Sequence, residues 1–271
     1  SSGRIFPKSM KASPLLRALL RRLERQNVTL KSRLTWTGFS KDRASLFRDG
    51  KGDTQEIAAR ATLLAFGGAS WPRLGSQASW VAEIEKCGIN VRPFKPANCG
   101  FHVDWSQHLI GRFAGTPLKR IKLHFGNESV QGEALVSEKG LEGGAVYALS
   151  SLVRDALETS DKVNLRLDLT PQIPLEKLQQ RLAKPRGKQS FSNFLRKAAG
   201  LAPVEIALLR EAGPLAENTN EVAQRIKSLN LTVREPFGID RAISSAGGIS
   251  LKELTPEMML AKLPGVFAAG E

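Results

Sequence analysis

Ala61-Thr62-Leu63-Leu64-Ala65-Phe66-Gly67-Gly68 is an almost wholly apolar run closed by two glycines. A strand with one wet face alternates apolar and polar residues; an unbroken apolar run suits a strand buried on both faces, as in a parallel sheet. Glycines at its end let a ligand approach the backbone closely. In open α/β sheets, ligands lie beyond the carboxyl ends of the strands. A second stretch, Gly265-Val266-Phe267-Ala268-Ala269-Gly270-Glu271, has the same form, and its carboxylate suits the hydroxyls of a ribose or ribityl chain. Taken alone, either glycine pair reads first as a turn.

Working outward, Ser13–Gln26 reads as a basic amphipathic helix, with Leu15, Leu16, Leu19, Leu20 and Leu23 on one face and Arg17, Arg21, Arg22 and Arg25 on the other. Short strands are expected at Val28–Leu30 and Leu34–Phe39. A hairpin of Ala44–Phe47 with Glu56–Ala59 closes around Asp49–Asp53. After Gly68, Ser79–Cys87 predicts a helix capped by Gly88. The outline is an α/β sheet with a β-meander crossover.

Past Val91 the texture changes. Residues 93–148 are rich in Gly, Pro and β-formers, with strand-like runs at Cys99–Val103, Lys119–Phe125 and Glu133–Val136. Val163–Leu169 alternates like a strand. Helical periodicity then runs through Pro174–Leu182, Phe191–Ala199, Pro203–Glu211 and Asn220–Ser228, before strands return at Leu231–Val233 and Ala242–Ser244. The expected bundle of residues 174–228 should rise from the two strands flanking it.

The composition narrows the function. The chain has 271 residues, 41% of them hydrophobic, enough for packed cores. No apolar run is long enough to span a membrane, and Ser1-Ser2-Gly3-Arg4 lacks the apolar region of a signal peptide. Cys87 and Cys99 make neither a disulfide framework nor a metal cluster, which fits a reducing cytoplasm. Cys99 reads as a buried inert thiol, and His102, His108 and His124 as ordinary histidines. The formal charge of +14 attracts polyanions or a phosphorylated cofactor.

Four further segments give the pattern a family. They are Gly3-Arg4-Ile5-Phe6-Pro7-Lys8-Ser9-Met10-Lys11-Ala12-Ser13, Pro96-Ala97-Asn98-Cys99-Gly100-Phe101, the run Gly132–Val146, and Ala242-Ile243-Ser244-Ser245-Ala246-Gly247-Gly248-Ile249-Ser250. Together with the two glycine-ended strands, the chain resembles the YhiN/BaiN-type bacterial flavoproteins, FAD-dependent oxidoreductases that include an aminoacetone oxidase. The resemblance implies an α/β + β fold: a two-dinucleotide-binding-type FAD domain interrupted by a β-barrel-like domain that carries a helical insertion. On that reading residues 1–92 and 251–271 belong to the FAD domain, 93–173 and 229–250 to the β-barrel-like domain, and 174–228 to the insertion.

It also implies cofactor-binding positions. Gly67, Gly68, Ser70, Trp71, Pro72 and Gly75 would approach the FAD. Gly270 and Glu271 would reach its ribityl and pyrophosphate region. Phe6, Pro7, Lys8, Ser9, Gly247 and Gly248 would lie towards the isoalloxazine ring, and Leu34 near the adenine. The family opens with a Gly-x-Gly-x-x-Gly turn, which this sequence lacks; its only Gly-x-Gly is Gly50-Lys51-Gly52 in a polar hairpin tip. An incomplete cofactor domain that binds FAD poorly on its own is therefore expected. NAD(P)H is the electron donor the resemblance implies, with a small-molecule substrate. Two other classes stay open. A nucleic-acid-binding protein would use the α-helical arginines and Lys184–Lys188, although without a recognised module only weak, sequence-indifferent binding is expected. An inactive remnant of the flavoprotein fold is the third.

Overall fold

The computed structural model describes residues 5–215 and 218–270. The chain divides after Ala61 into two units. In the first, helix α1 spans Ala12–Arg25, and its leucine stripe is exposed along its whole length. A three-stranded antiparallel meander follows, formed by β1 (Leu34–Phe39), β2 (Ser45–Asp49) and β3 (Thr54–Ile57). The β2–β3 turn is held by the Asp49 carboxylate, whose Oδ1 accepts from the backbone N–H groups of Lys51 and Asp53 at 2.8 and 2.9 Å. That clamp fixes the return strand two residues earlier than the expected Glu56 start.

The strand expected at Val28–Leu30 does not form. Asn27 takes the left-handed conformation, with φ of 57°, and the Val28 N–H turns back to the Leu23 carbonyl. These residues close the end of α1 rather than join a sheet.

The second unit carries the remaining elements. In chain order they are β4 (Thr62–Leu64), α2 (Val81–Lys86), β5 (Val91–Ala97), β6 (Phe101–His102), α3 (Gln107–Phe113), β7 (Thr116–Phe125), β8 (Glu128–Val136), β9 (Gly140–Glu142), α4 (Gly144–Leu157) and β10 (Val163–Asp168). The helices α5 (Leu175–Leu182), α6 (Phe191–Ala199), α7 (Pro203–Glu211) and α8 (Thr219–Lys227) come next. The chain closes with β11 (Leu229–Val233), β12 (Ser244–Ile249) and β13 (Val266–Ala268). The two apolar stretches of the sequence meet as a parallel pair, Leu63 of β4 opposite Phe267 of β13.

The largest sheet has the order β11-β10-β7-β8-β9-β6. Its inner face buries Leu118, Ile121, Leu123, Val136, Leu141, Leu165 and Leu167, and Val146, Leu149 and Val153 of α4 belong to the same core. Neither α3 nor α4 was expected. The α4 sequence opens on Gly143-Gly144, and its Val146 and Val153 are β-formers. Tertiary packing overrides that weak local preference. At β7 a bulge between Leu118 and Ile121 puts Arg120 at φ of 57°.

Helices α5–α8 lie between β10 and β11, which pair antiparallel with Val163 opposite Val233. Ser190 caps α6 by accepting from the Asn193 N–H, and Gly200 ends that helix in the left-handed conformation. Within α7 the Glu205 carboxyl is buried and accepts from the Ala202 N–H at 2.7 Å. Burial pushes its pKa above the ordinary carboxyl range, against the lowering by that hydrogen bond and by Arg120. A carboxyl raised in this way holds its proton more firmly in the folded state than in the unfolded one. Its contribution to stability is therefore lost as pH rises from the unfolded pKa through the folded one. Thermal melts should show Glu205→Gln gaining on the wild type as pH rises through and above the ordinary carboxyl range; a constant difference would deny this titration.

Candidate functional site

In the second unit, Gly67 and Gly68 leave β4 and pass directly over β12. The Ser245 hydroxyl accepts from the Ala69 N–H at 2.9 Å and from the Ser70 N–H at 3.1 Å, so β12 holds the loop after the glycine pair. A Cβ at Gly68 would lie 2.4 Å from that hydroxyl oxygen, which explains the glycine. The Trp80 indole donates to the Gly67 carbonyl at 3.2 Å and stacks on Phe66, with ring centroids 5.7 Å apart. Trp80 is thus packed and buried, at the N-cap of α2.

These segments enclose a cleft of about 350 Å³ lined by Gly67, Gly68, Gly247, Gly248 and Gly270, with Trp80 and Phe94 among its walls. Gly67, Gly247, Gly248 and Gly270 all have positive φ. At Gly270 an added Cβ would meet nothing nearer than 3.9 Å, so this edge is open for a ligand. Five of the expected positions therefore come together around one space. Ser70 fixes the loop through its backbone. Pro72 and Gly75 form and end a short 3-10 turn and are not among the residues of this cleft. Phe6, Pro7, Lys8, Ser9 and Leu34 belong to the first unit, and Glu271 lies outside the described residues.

Trp71 lines a larger neighbouring cavity of about 730 Å³. Trp71 is 45% exposed and has the left-handed backbone conformation, φ 58° and ψ 58°, a strained state for a bulky residue. The cavity is bordered by Asn98, Cys99, His102, Glu142, Tyr147 and Arg241. Burial pushes the Tyr147 phenol upward, and the nearby Glu142 carboxylate pushes it further, so Tyr147 keeps its proton at neutral pH. The Cys99 thiol, 2% exposed, is pushed by burial up to about 11, in keeping with an inert thiol. Sequence reasoning missed Tyr147, the only tyrosine in the chain. Its neighbours reach it across α4 and β9, and no local motif marks it.

Among the described residues no group of three or more His, Cys, Asp or Glu could hold a metal ion, and no helix is long and apolar enough to cross a membrane. A family model for the HI0933-like protein barrel and H2TH domain matches residues 95–244. A 3-dehydro-bile acid delta(4,6)-reductase of Clostridium scindens is 23% identical over 288 residues, covering 99% of this chain and 69% of that protein. The ribosomal RNA dihydrouridine synthase of Escherichia coli strain K12 is 26% identical over 274 residues, covering 96% and 65% respectively. The chain spans about two thirds of the length of these curated relatives.

Proposed function

Because this chain belongs to the HI0933-like family of YhiN/BaiN-type flavoproteins, we propose that the whole protein is a cytoplasmic FAD-dependent reductase using NAD(P)H. Its reaction adds two hydrogens across a carbon–carbon double bond conjugated to a carbonyl. Both relatives' names describe such a change, on a 3-oxo steroid acid in one case and on a uracil ring in the other. The charge of +14 favours the polyanionic substrate, a uridine within RNA. This goes beyond the weak, sequence-indifferent binding that charge alone implies, and places RNA as substrate of an enzyme rather than partner of a binding protein.

The observation that carries this reading is the glycine-lined cleft beside a roomier cavity holding a protonated phenol. The cleft suits the edge of a flat ring system, since its glycines leave backbone surface where side chains would stand. Bound there, FAD supplies the electron chemistry. Gly67, Gly68, Gly247, Gly248 and Gly270 allow its close approach, and Ser245 keeps the loop in place through the Ala69 and Ser70 N–H groups. Trp71 covers the substrate side. Tyr147 holds the proton that the substrate α-carbon requires, and Glu142 positions its hydroxyl. Phe6, Pro7, Lys8, Ser9, Leu34, Pro72, Gly75 and Glu271 remain in the proposal as cofactor contacts that the family resemblance alone suggests.

The test uses the full-length protein. It should purify with a flavin absorption spectrum and, given NAD(P)H and uridine-containing RNA, should form dihydrouridine detectable by mass spectrometry of nucleosides. The 271-residue chain, without a Gly-x-Gly-x-x-Gly turn to meet the two phosphates, should bind FAD much more weakly. A full-length protein without flavin would sink the reading. Reduction of a 3-oxo-diene but never of RNA would sink its substrate.

A further inference from the structure

A third space lies where α3 meets the helical bundle. It measures about 450 Å³, and Arg112 of α3, Arg196 of α6 and Arg210 of α7 all face it. Its floor is apolar, with Leu109 and Ile206 buried, and Phe113 is half-buried at its edge. The lining holds one carboxylate, Glu211, and that group is occupied: it accepts from the Ser106 N–H at 2.7 Å and from the Ser106 hydroxyl at 3.0 Å. Among the described residues none of the three guanidiniums pairs with a carboxylate. Arg210 donates to the Ser192 hydroxyl at 2.7 Å, and Arg112 lies 5.7 Å from the centre of the Phe113 ring.

Three exposed guanidiniums converge on one concavity against a single carboxylate, leaving an excess of positive charge that attracts an anion. The guanidinium fork matches phosphate oxygens two at a time, which a lysine patch does not. Position adds a second argument. Ala114 and Gly115, the residues immediately after Phe113, line the 730 Å³ cavity that holds Tyr147. A strand gripped at Arg112 is thus one short step along the chain from the reaction cavity.

We propose that the pocket of Arg112, Arg196 and Arg210 is an anchoring site for the phosphodiester backbone of substrate RNA, holding the strand while a base enters the neighbouring cavity. This rests on the reading of RNA as the substrate. His108 and Asn193, on the same rim, offer further donors to the backbone.

The experiment is fluorescence anisotropy of a labelled single-stranded RNA with the full-length protein across a salt series, comparing wild type with Arg112→Gln/Arg196→Gln/Arg210→Gln. A second variant, Lys177→Gln/Arg181→Gln/Lys184→Gln, removes the same charge from α5 and the loop after it. Every phosphate of a single strand that the protein no longer neutralises reduces the salt slope by about 0.7, so the first variant should lower it by about 2 and weaken binding at least about tenfold at low salt. The second should change affinity less than about threefold. Equal weakening in both variants, or an unchanged slope in the first, would overturn the anchoring site. So would failure of the wild type to bind RNA. The flavin spectrum and the reduction of a free conjugated carbonyl compound are read in parallel; both should survive in the first variant. Loss of those signals in the wild type would instead count against the flavin reading, leaving the two failures distinguishable.

Discussion

Lys227→Met should destabilise the protein by about 3–5 kcal/mol, the usual cost of removing one partner from a buried ion pair. The Lys227 ammonium sits 2.6 Å from Asp168 Oδ2, with both side chains largely withdrawn from solvent. It also donates to the carbonyls of Thr170 and Ile173, each at 2.9 Å. Asp168 in turn accepts from the Thr170 N–H through its other oxygen at 2.9 Å. All three hydrogens of the ammonium are thereby used. The cluster ties the last turn of α8 to the end of β10, which is where the helical bundle leaves and rejoins the sheet. Methionine keeps the length of the side chain but strands the carboxylate and two carbonyls. The double variant Asp168→Asn/Lys227→Met should recover part of the loss, because a neutral amide removes the unpaired charge. Urea unfolding of the wild type, the single and the double variant measures this directly. A single variant within about 1 kcal/mol of wild type would show that the pair is solvated like a surface bridge.

That cluster marks the boundary of what the sequence discloses. Residues 174–228 are legible as short helices because Gly200, Gly213 and several prolines interrupt a clear helical period, and all four helices form. Strands β4 and β13 are legible as strands from their unbroken apolar runs, but the burial on both faces expected of such a run fails at β4: in a two-stranded pair Leu63 is 62% exposed and only Leu64 is buried. The contacts that join such elements are another matter. Asp168 and Lys227 are 59 positions apart, and Ser245 meets Ala69 and Ser70 from 176 and 175 positions away. No local pattern encodes such meetings. Helix α4 is illegible for a different reason: its valines and paired glycines read as β and turn until Val146, Leu149 and Val153 find the sheet.

The candidate site divides along the same line. Glycines are visible because their presence at the end of a buried strand needs an explanation, and the cleft gathers five of them. Tyr147, Glu142 and the three arginines of the bundle pocket are ordinary residues by sequence. Only the pairing of β8 with β9 and the packing of the helices against one another bring them to the two cavities they line.

Gly247→Ala is expected to abolish flavin retention and to lower the melting temperature by roughly 5–10 °C, because it combines two effects in one methyl group. Gly247 has φ of 104°, a conformation that alanine adopts only under strain of about 1–3 kcal/mol. Its added Cβ would also stand 2.4 Å from the Pro93 carbonyl oxygen and 2.9 Å from the Pro93 carbonyl carbon. Those atoms are backbone of β5, the only strand paired with β12 among the described residues, so they cannot yield without parting the two strands. The displacement passes to Ser245, two residues earlier on β12, and from it to the Ala69 and Ser70 N–H groups at the mouth of the cleft. Gly88→Ala separates strain from collision. Gly88 also has positive φ, at 75°, but its added Cβ meets nothing within 4 Å. It should therefore cost only about 1 kcal/mol and leave flavin in place. Absorbance of the purified full-length variants and their thermal melts decide the matter. Gly247→Ala retaining full flavin at an unchanged melting temperature would mean that β12 tolerates the shift, and that the glycine-lined cleft does not hold the ring.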